Sequence, residues 1–136
     1  DAREPAHFVF SDGAHRLGVL TDTGASTSHI EAMLSGCDAL VLECNHDLDL
    51  LMNGDYPQAL KARVAGPYGH LDNDSSAGLL AAIDRSRLQH LVAAHLSQHN
   101  NTPELACAAL ARAMGCAPAW IGVADQDEGF AWREIV

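Results

Sequence analysis

With 136 residues, 48% of them apolar and 19% charged, the chain has the composition of a globular domain and not of a disordered one. A formal charge of -10 argues against a whole-surface nucleic-acid binder, although a local basic groove stays compatible with it. No apolar run approaches the roughly 18–20 residues that span a bilayer, so no membrane partner is expected.

The first residue is Asp1, not Met, and the chain enters a strand-like run almost at once, which suggests an internal start. Phe8-Val9-Phe10 and Leu17-Gly18-Val19-Leu20 read as two strands of a hairpin around the turn Ser11-Asp12-Gly13. Ser26 or Thr27 is placed to cap a helix through Leu34. Asp38 to Glu43 is the clearest strand, a buried apolar run. Asp47 to Met52 and Pro57 to Val64 read as short helices, the second with Pro in its first turn. Asp72 or Asp74 caps a helix through Ile83, Leu91 to Ala94 is a strand, and Thr102-Pro103-Glu104 starts a helix that Gly115 ends. Ala119 to Val123 and Phe130 to Ile135 are expected to close the domain as a strand pair. Strands alternating with helices define an α/β layered domain.

Asp22-Thr23-Gly24 after an apolar strand is also the mark of an aspartic protease. That fold is almost all β and needs a second such motif or a dimer mate, whereas helices dominate here after Gly24. Polar groups gather instead at strand ends, where α/β sheets carry their sites. One strand delivers Asp22. The next delivers Glu43, then Asn45, His46 and Asp47. A third delivers His95, Ser97, Gln98, His99, Asn100 and Asn101, and a loop carries His70 to Asn73. Taken singly, these are turn and cap residues. As a set, carboxylates with imidazoles suit Zn, Mn or Fe better than Ca or Mg. Cys44 has no setting that would activate a thiolate. The four cysteines form no CxxC pair and read as free thiols of a reducing cytosol, so a cytoplasmic location is expected. Lys61, Arg63, Arg85 and Arg87 could form a modest phosphate-binding edge.

TDTG, LVLECNHD, GHLDND and AHLSQHNNTPELA, in that order, resemble the C-terminal half of the metallo-β-lactamase superfamily, and within it the YycJ-like branch related to tRNase Z and phosphodiesterases. The resemblance implies half of an αββα sandwich with a dinuclear metal site at one edge of the sheets. By that likeness Asp22 bridges the metals, His95 is a histidine ligand, and His70 contacts the scissile phosphate and protonates the leaving group. Glu43 is the acidic residue that orients His70, with Asn45, His46 and Asn73 as possible substrate contacts. The implied cofactor is two divalent transition-metal ions, Zn before Mn or Fe, sharing a hydroxide that attacks phosphodiester bonds of DNA or RNA. The superfamily's His-x-His-x-Asp-His motif does not occur in these 136 residues. The expected partner is therefore the missing N-terminal half of the same domain, without which the fragment is expected to be inactive. Two alternatives stay open: a non-catalytic interaction module that keeps the scaffold, and a hydrolase of another ester or thioester class.

Overall fold

The computed structural model describes residues 5–136; the DAREP match therefore lies largely outside the described residues. Five strands form one sheet in chain order: β1 (Phe8–Ser11), β2 (Arg16–Leu20), β3 (Ala39–Glu43), β4 (His90–Ala94) and β5 (Gly122–Val123). β1 pairs antiparallel with β2, and every later neighbour is parallel. The hairpin turn forms because Asp12 Oδ1 accepts from the Ala14 and His15 amides while Gly13 takes a φ of 96°.

The helices are α1 (Ser28–Leu34), α2 (Leu48–Asn53), α3 (Gln58–Val64), α4 (Asn73–Ala82) and α5 (Pro103–Met114). Their starts follow cap chemistry: Thr27, Asp47, Asp72 and Thr102 each accept a hydrogen bond from the first helical turn. Asp72 and not Asp74 is the cap of α4. Asp74 sits in the first turn and pairs with Arg112.

Parallel strands that are apolar on both sides call for cover on both faces. On one face Leu20, Leu40, Leu42, Leu91 and Ala93 join Leu79 and Leu80 of α4 and Leu110 of α5 in the core. The opposite face presents Leu17, Ala39, Val41 and Val92, and among the described residues only the last of the chain lie against it. Phe130, Ala131, Trp132 and Ile135 enclose a cavity of about 370 Å³ over those side chains. Gln89 clamps the segment through paired bonds to Val136, and His90 Nε2 bonds the Glu134 carbonyl.

The expected closing strand pair does not form. Pro118 starts a 3₁₀ turn (Pro118–Trp120), so only Gly122 and Val123 reach the β4 edge, in parallel register. Phe130 to Ile135 has no strand partner because it crosses the face of the sheet instead of extending its edge. His15 and His90, which have no obvious partner in the sequence, are both hydrogen bonded, His15 to Asp12. No helix among the described residues is long and apolar enough to cross a membrane.

Candidate metal centre

The register aligns Leu20 with Leu42 and Glu43 with Ala94, so three parallel strands end at nearly one level. Glu43 closes the central strand. Asp22 and His95 follow the two flanking strands, which lie about 9–10 Å apart across β3. Both adopt left-handed backbone, with φ of 60° and 56°. They are the non-glycine residues with positive φ among those described, a conformation that costs of order 1–3 kcal/mol at a bulky residue. The turn folds each side chain back over Glu43.

His70 arrives from the loop between α3 and α4. That loop is pinned by Leu71, whose amide donates to Glu43 Oε2 and whose carbonyl accepts from Asn45. Gly24 makes the approach possible. A methyl group there would stand 2.3 Å from the Gly66 carbonyl and 2.7 Å from the Gly69 amide, inside the loop that carries His70. The glycine of Asp22-Thr23-Gly24 is therefore a contact between two site loops. Gly24→Ala is expected to cost about 1–3 kcal/mol by overpacking and to displace the loop that carries His70. Gly78→Ala, on an exposed face of α4 with nothing within 4 Å, should instead stabilise by about 0.5–1 kcal/mol. Thermal unfolding of the two variants checks the contrast.

Glu43 is 0% exposed and receives four donors. Oε1 accepts from His70 Nδ1 at 2.8 Å and His95 Nδ1 at 2.7 Å. Oε2 accepts from the Thr23 and Leu71 amides at 3.1 and 3.2 Å. Burial pushes the carboxyl pKa up, but the hydrogen bonds from His70 and His95 outweigh it and hold the group at about 2. The bond to Glu43 in turn raises His95 above its ordinary value against the opposing effect of burial. An ionised carboxylate only accepts, so both rings carry hydrogen on Nδ1 and, when neutral, keep the Nε2 lone pair. Such a carboxylate–imidazole pair is the usual support of a metal-ligating histidine. Asp22 Oδ1 stands 3.9 Å from each Nδ1, beyond hydrogen-bond range, with its side chain about half exposed. Ligand atoms of Asp22, Glu43, His70 and His95 all fall within 4.8 Å of one another. Convergent oxygen and imidazole donors with available lone pairs fit a borderline divalent ion such as Zn, Mn or Fe.

The remaining expected contacts divide. Asn45 borders the cavity beside His70 and His95, but its amide donates to the His95 carbonyl at 2.9 Å and so braces the left-handed turn. His46 and Asn73 are 1% and 4% exposed. Asn73 exchanges two amide bonds with Asn101, which also donates to the Cys44 carbonyl, and the His46 carbonyl accepts from the Asn73 amide. These two residues brace the loops behind the site and present no side chain to a substrate. Burial pushes the Cys44 thiol up to about 12, so it is no nucleophile at neutral pH. The basic edge also disperses. Lys61 is buried and donates to the Met52 carbonyl, Arg85 donates to the Ala113 carbonyl, and Arg87 pairs with Asp38. Of those four, Arg63 alone lines the cavity at His70 and His95.

A largely parallel sheet with helices on one face and a carboxylate–imidazole cluster at its C-terminal edge defines an α/β domain with a candidate metal centre. This chain belongs to the metallo-β-lactamase superfamily. It is 36% identical over 106 residues to the exodeoxyribonuclease YycJ of Bacillus anthracis, covering 78% of this chain and 40% of that protein. It is 30% identical over 123 residues to the exodeoxyribonuclease WalJ of Streptococcus pneumoniae, covering 90% of this chain and 46% of that protein. The chain thus spans less than half the length of the curated relatives it matches. The fold is shared with the crystal structure of Zn2+-bound PqqB from Methylobacterium extorquens, at a TM-score of 0.56 and 21% identity over 91% of this chain and 39% of that one. No family model matches the sequence. The aspartic-protease alternative is removed by the parallel α/β sheet.

Proposed function

We propose that this chain is the C-terminal half of a metal-dependent nuclease that hydrolyses phosphodiester bonds of DNA. The observation that carries the reading is the convergence of Asp22, Glu43, His70 and His95 at the ends of three parallel strands. Likeness to proteins named exodeoxyribonuclease supports DNA as the substrate and phosphodiester hydrolysis as the reaction. Asp22 and His95 Nε2 are the metal ligands of this half, for a pair of divalent transition-metal ions, Zn first. When bound, such ions supply Lewis acidity toward a phosphoryl oxygen and lower the pKa of an attacking water.

The chain's own groups do the rest. Glu43 is a positioning residue, since its full burial keeps it from substrate. It fixes both imidazoles through Nδ1 and so directs the opposite nitrogens away from itself. His70, protonated on Nε2, gives its proton to the departing deoxyribose oxygen. Asn45 holds the His95 backbone in its turn. Further ligands come from the N-terminal half, and the apolar face of Leu17, Val41 and Val92, crossed among the described residues only by Phe130 to Ile135, is where that half lays its own sheet.

His70→Ala in the full-length protein is expected to leave metal content unchanged and slow DNA hydrolysis by about 10²–10⁴-fold. Metal analysis alongside single-turnover cleavage reads both effects. One observation favours a second role. His70 and His95 stand symmetrically, each at 3.9 Å from Asp22 Oδ1 and within 0.1 Å of the same distance to Glu43. Loss of a metal ion from His70→Ala would make His70 a ligand and leave the leaving group's proton to another donor.

A further inference from the structure

Beside the carboxylate–imidazole cluster opens a cavity of about 420 Å³, and His70 and His95 form part of its wall. The volume lies within the roughly 300–1,000 Å³ that small-molecule sites occupy. The rest of the lining is not metal chemistry. Leu60 and Val64 of α3, with Leu96 after β4, supply apolar surface. Tyr56, in the loop before α3, and His99 bring two rings together edge to face, centroids 6.3 Å apart at 62°. Gln98 and Gln126 add amides at the same cavity. Nothing in the proposed hydrolytic step uses Tyr56, His99 or Leu96.

We infer that this cavity is a nucleobase subsite, in which Tyr56 and His99 hold the base of the nucleotide flanking the scissile phosphate. The inference rests on the nuclease reading above and adds to it a pocket for the base. Aromatic rings accept any base by stacking, because every base offers a π face. Amides can meet base edges without demanding one sequence. Arg63, which also lines the cavity, brings positive charge to it. The arrangement explains how a chain with a net charge of -10 engages a polyanion: the grip comes from one stacked base and a local cation, not from a basic surface.

The test uses full-length, metal-loaded protein and single-stranded oligonucleotides ending either in normal nucleotides or in abasic residues. The parent is expected to show a KM about tenfold lower for normal ends, the effect of one stacked base. Tyr56→Leu and His99→Ala should each erase most of that difference while kcat stays within about twofold, and Tyr56→Phe should retain it. Metal-free parent should bind deoxynucleoside monophosphate about tenfold more tightly than deoxyribose 5-phosphate in calorimetry, and Tyr56→Leu should not. His99 is exposed, so His99→Ala remains informative should Tyr56→Leu fold poorly. Equal KM for normal and abasic ends in the parent would overturn the subsite and leave the nuclease standing. Failure of the parent to cleave any DNA end would remove the nuclease reading, and the subsite with it.

Discussion

Asp22→Asn in the full-length protein is expected to abolish metal retention and DNA hydrolysis together while leaving the fold at least as stable as the parent. The backbone sets the second half of that expectation. Asp22 has a φ of 60°, and Asn is among the few residues that tolerate this region. Its side chain is about half exposed and comes no nearer than 3.9 Å to either imidazole. No buried partner among the described residues is therefore orphaned by the change. What is lost is a negative charge where divalent ions collect. A metal contributes several kcal/mol of transition-state stabilisation, so losing it lowers the rate by at least about 10³-fold. His95→Ala should give the same loss of metal but a less stable protein than His95→Gly, because alanine retains the strained left-handed turn that glycine relieves. Metal content after gel filtration, read with thermal unfolding, checks the set. An Asp22→Asn protein that kept its full metal complement would remove Asp22 from the ligand sphere.

The sequence made the outline of this site visible for a physical reason. Parallel strands buried on both faces read as apolar runs, so Asp22, Glu43 and His95 stand out as the polar residues where those runs stop. The caps at Thr27, Asp47 and Thr102 are local events and were equally visible. What stayed hidden depends on contacts between distant residues. Glu43 meets His70 and His95 across 27 and 52 positions, and nothing nearby in sequence marks it as their common acceptor. Asn73 and His46 resemble substrate contacts in the sequence because they sit beside site residues. Asn73 is turned inward by its pairing with Asn101, and His46 is buried behind the site at 1% exposure. Tyr56 carries no motif, and it meets His99, the second histidine of AHLSQHNN, only through the fold. The apolar pattern of Phe130 to Ile135 suits a strand, but a segment lying across a sheet face needs the same apolar residues without a ladder.

Glu43 separates stability from metal binding when it is changed in two ways. Glu43→Ala removes the acceptor of four donors, two of them backbone amides of the buried residues Thr23 and Leu71. Each orphaned amide costs about 1–3 kcal/mol, and together with the lost imidazole bonds the penalty is about 3–5 kcal/mol. That is a large fraction of the roughly 5–15 kcal/mol that holds a domain together. Glu43→Gln fills the same space and should fold. The backbone amides cannot reverse their polarity, so the glutamine oxygen must face Thr23 and Leu71 and its NH2 must face the two rings. Each imidazole can answer by moving its hydrogen from Nδ1 to Nε2 and accepting at Nδ1. The Nε2 lone pair that would bind metal is then gone, and metal affinity should fall at least 10–100-fold in a protein that remains folded. The pH dependence differs as well. In the metal-free parent, Glu43 contributes stability above its ordinary value of 4.5 and loses it as pH falls toward about 2. His95, raised by Glu43, contributes below its ordinary 6.5 and loses that as pH climbs through its folded value. In the metal-free parent the joint contribution of these two groups is therefore greatest between roughly pH 4.5 and 6.5. Glu43→Gln should show a flatter profile on both sides of that window, because neither the carboxylate nor its effect on His95 remains. Denaturant unfolding from pH 3 to 8, with metal titration of both variants, reads stability and affinity separately. A Glu43→Gln protein that bound metal like the parent would show that Glu43 does not hold the imidazoles in their metal-binding tautomer.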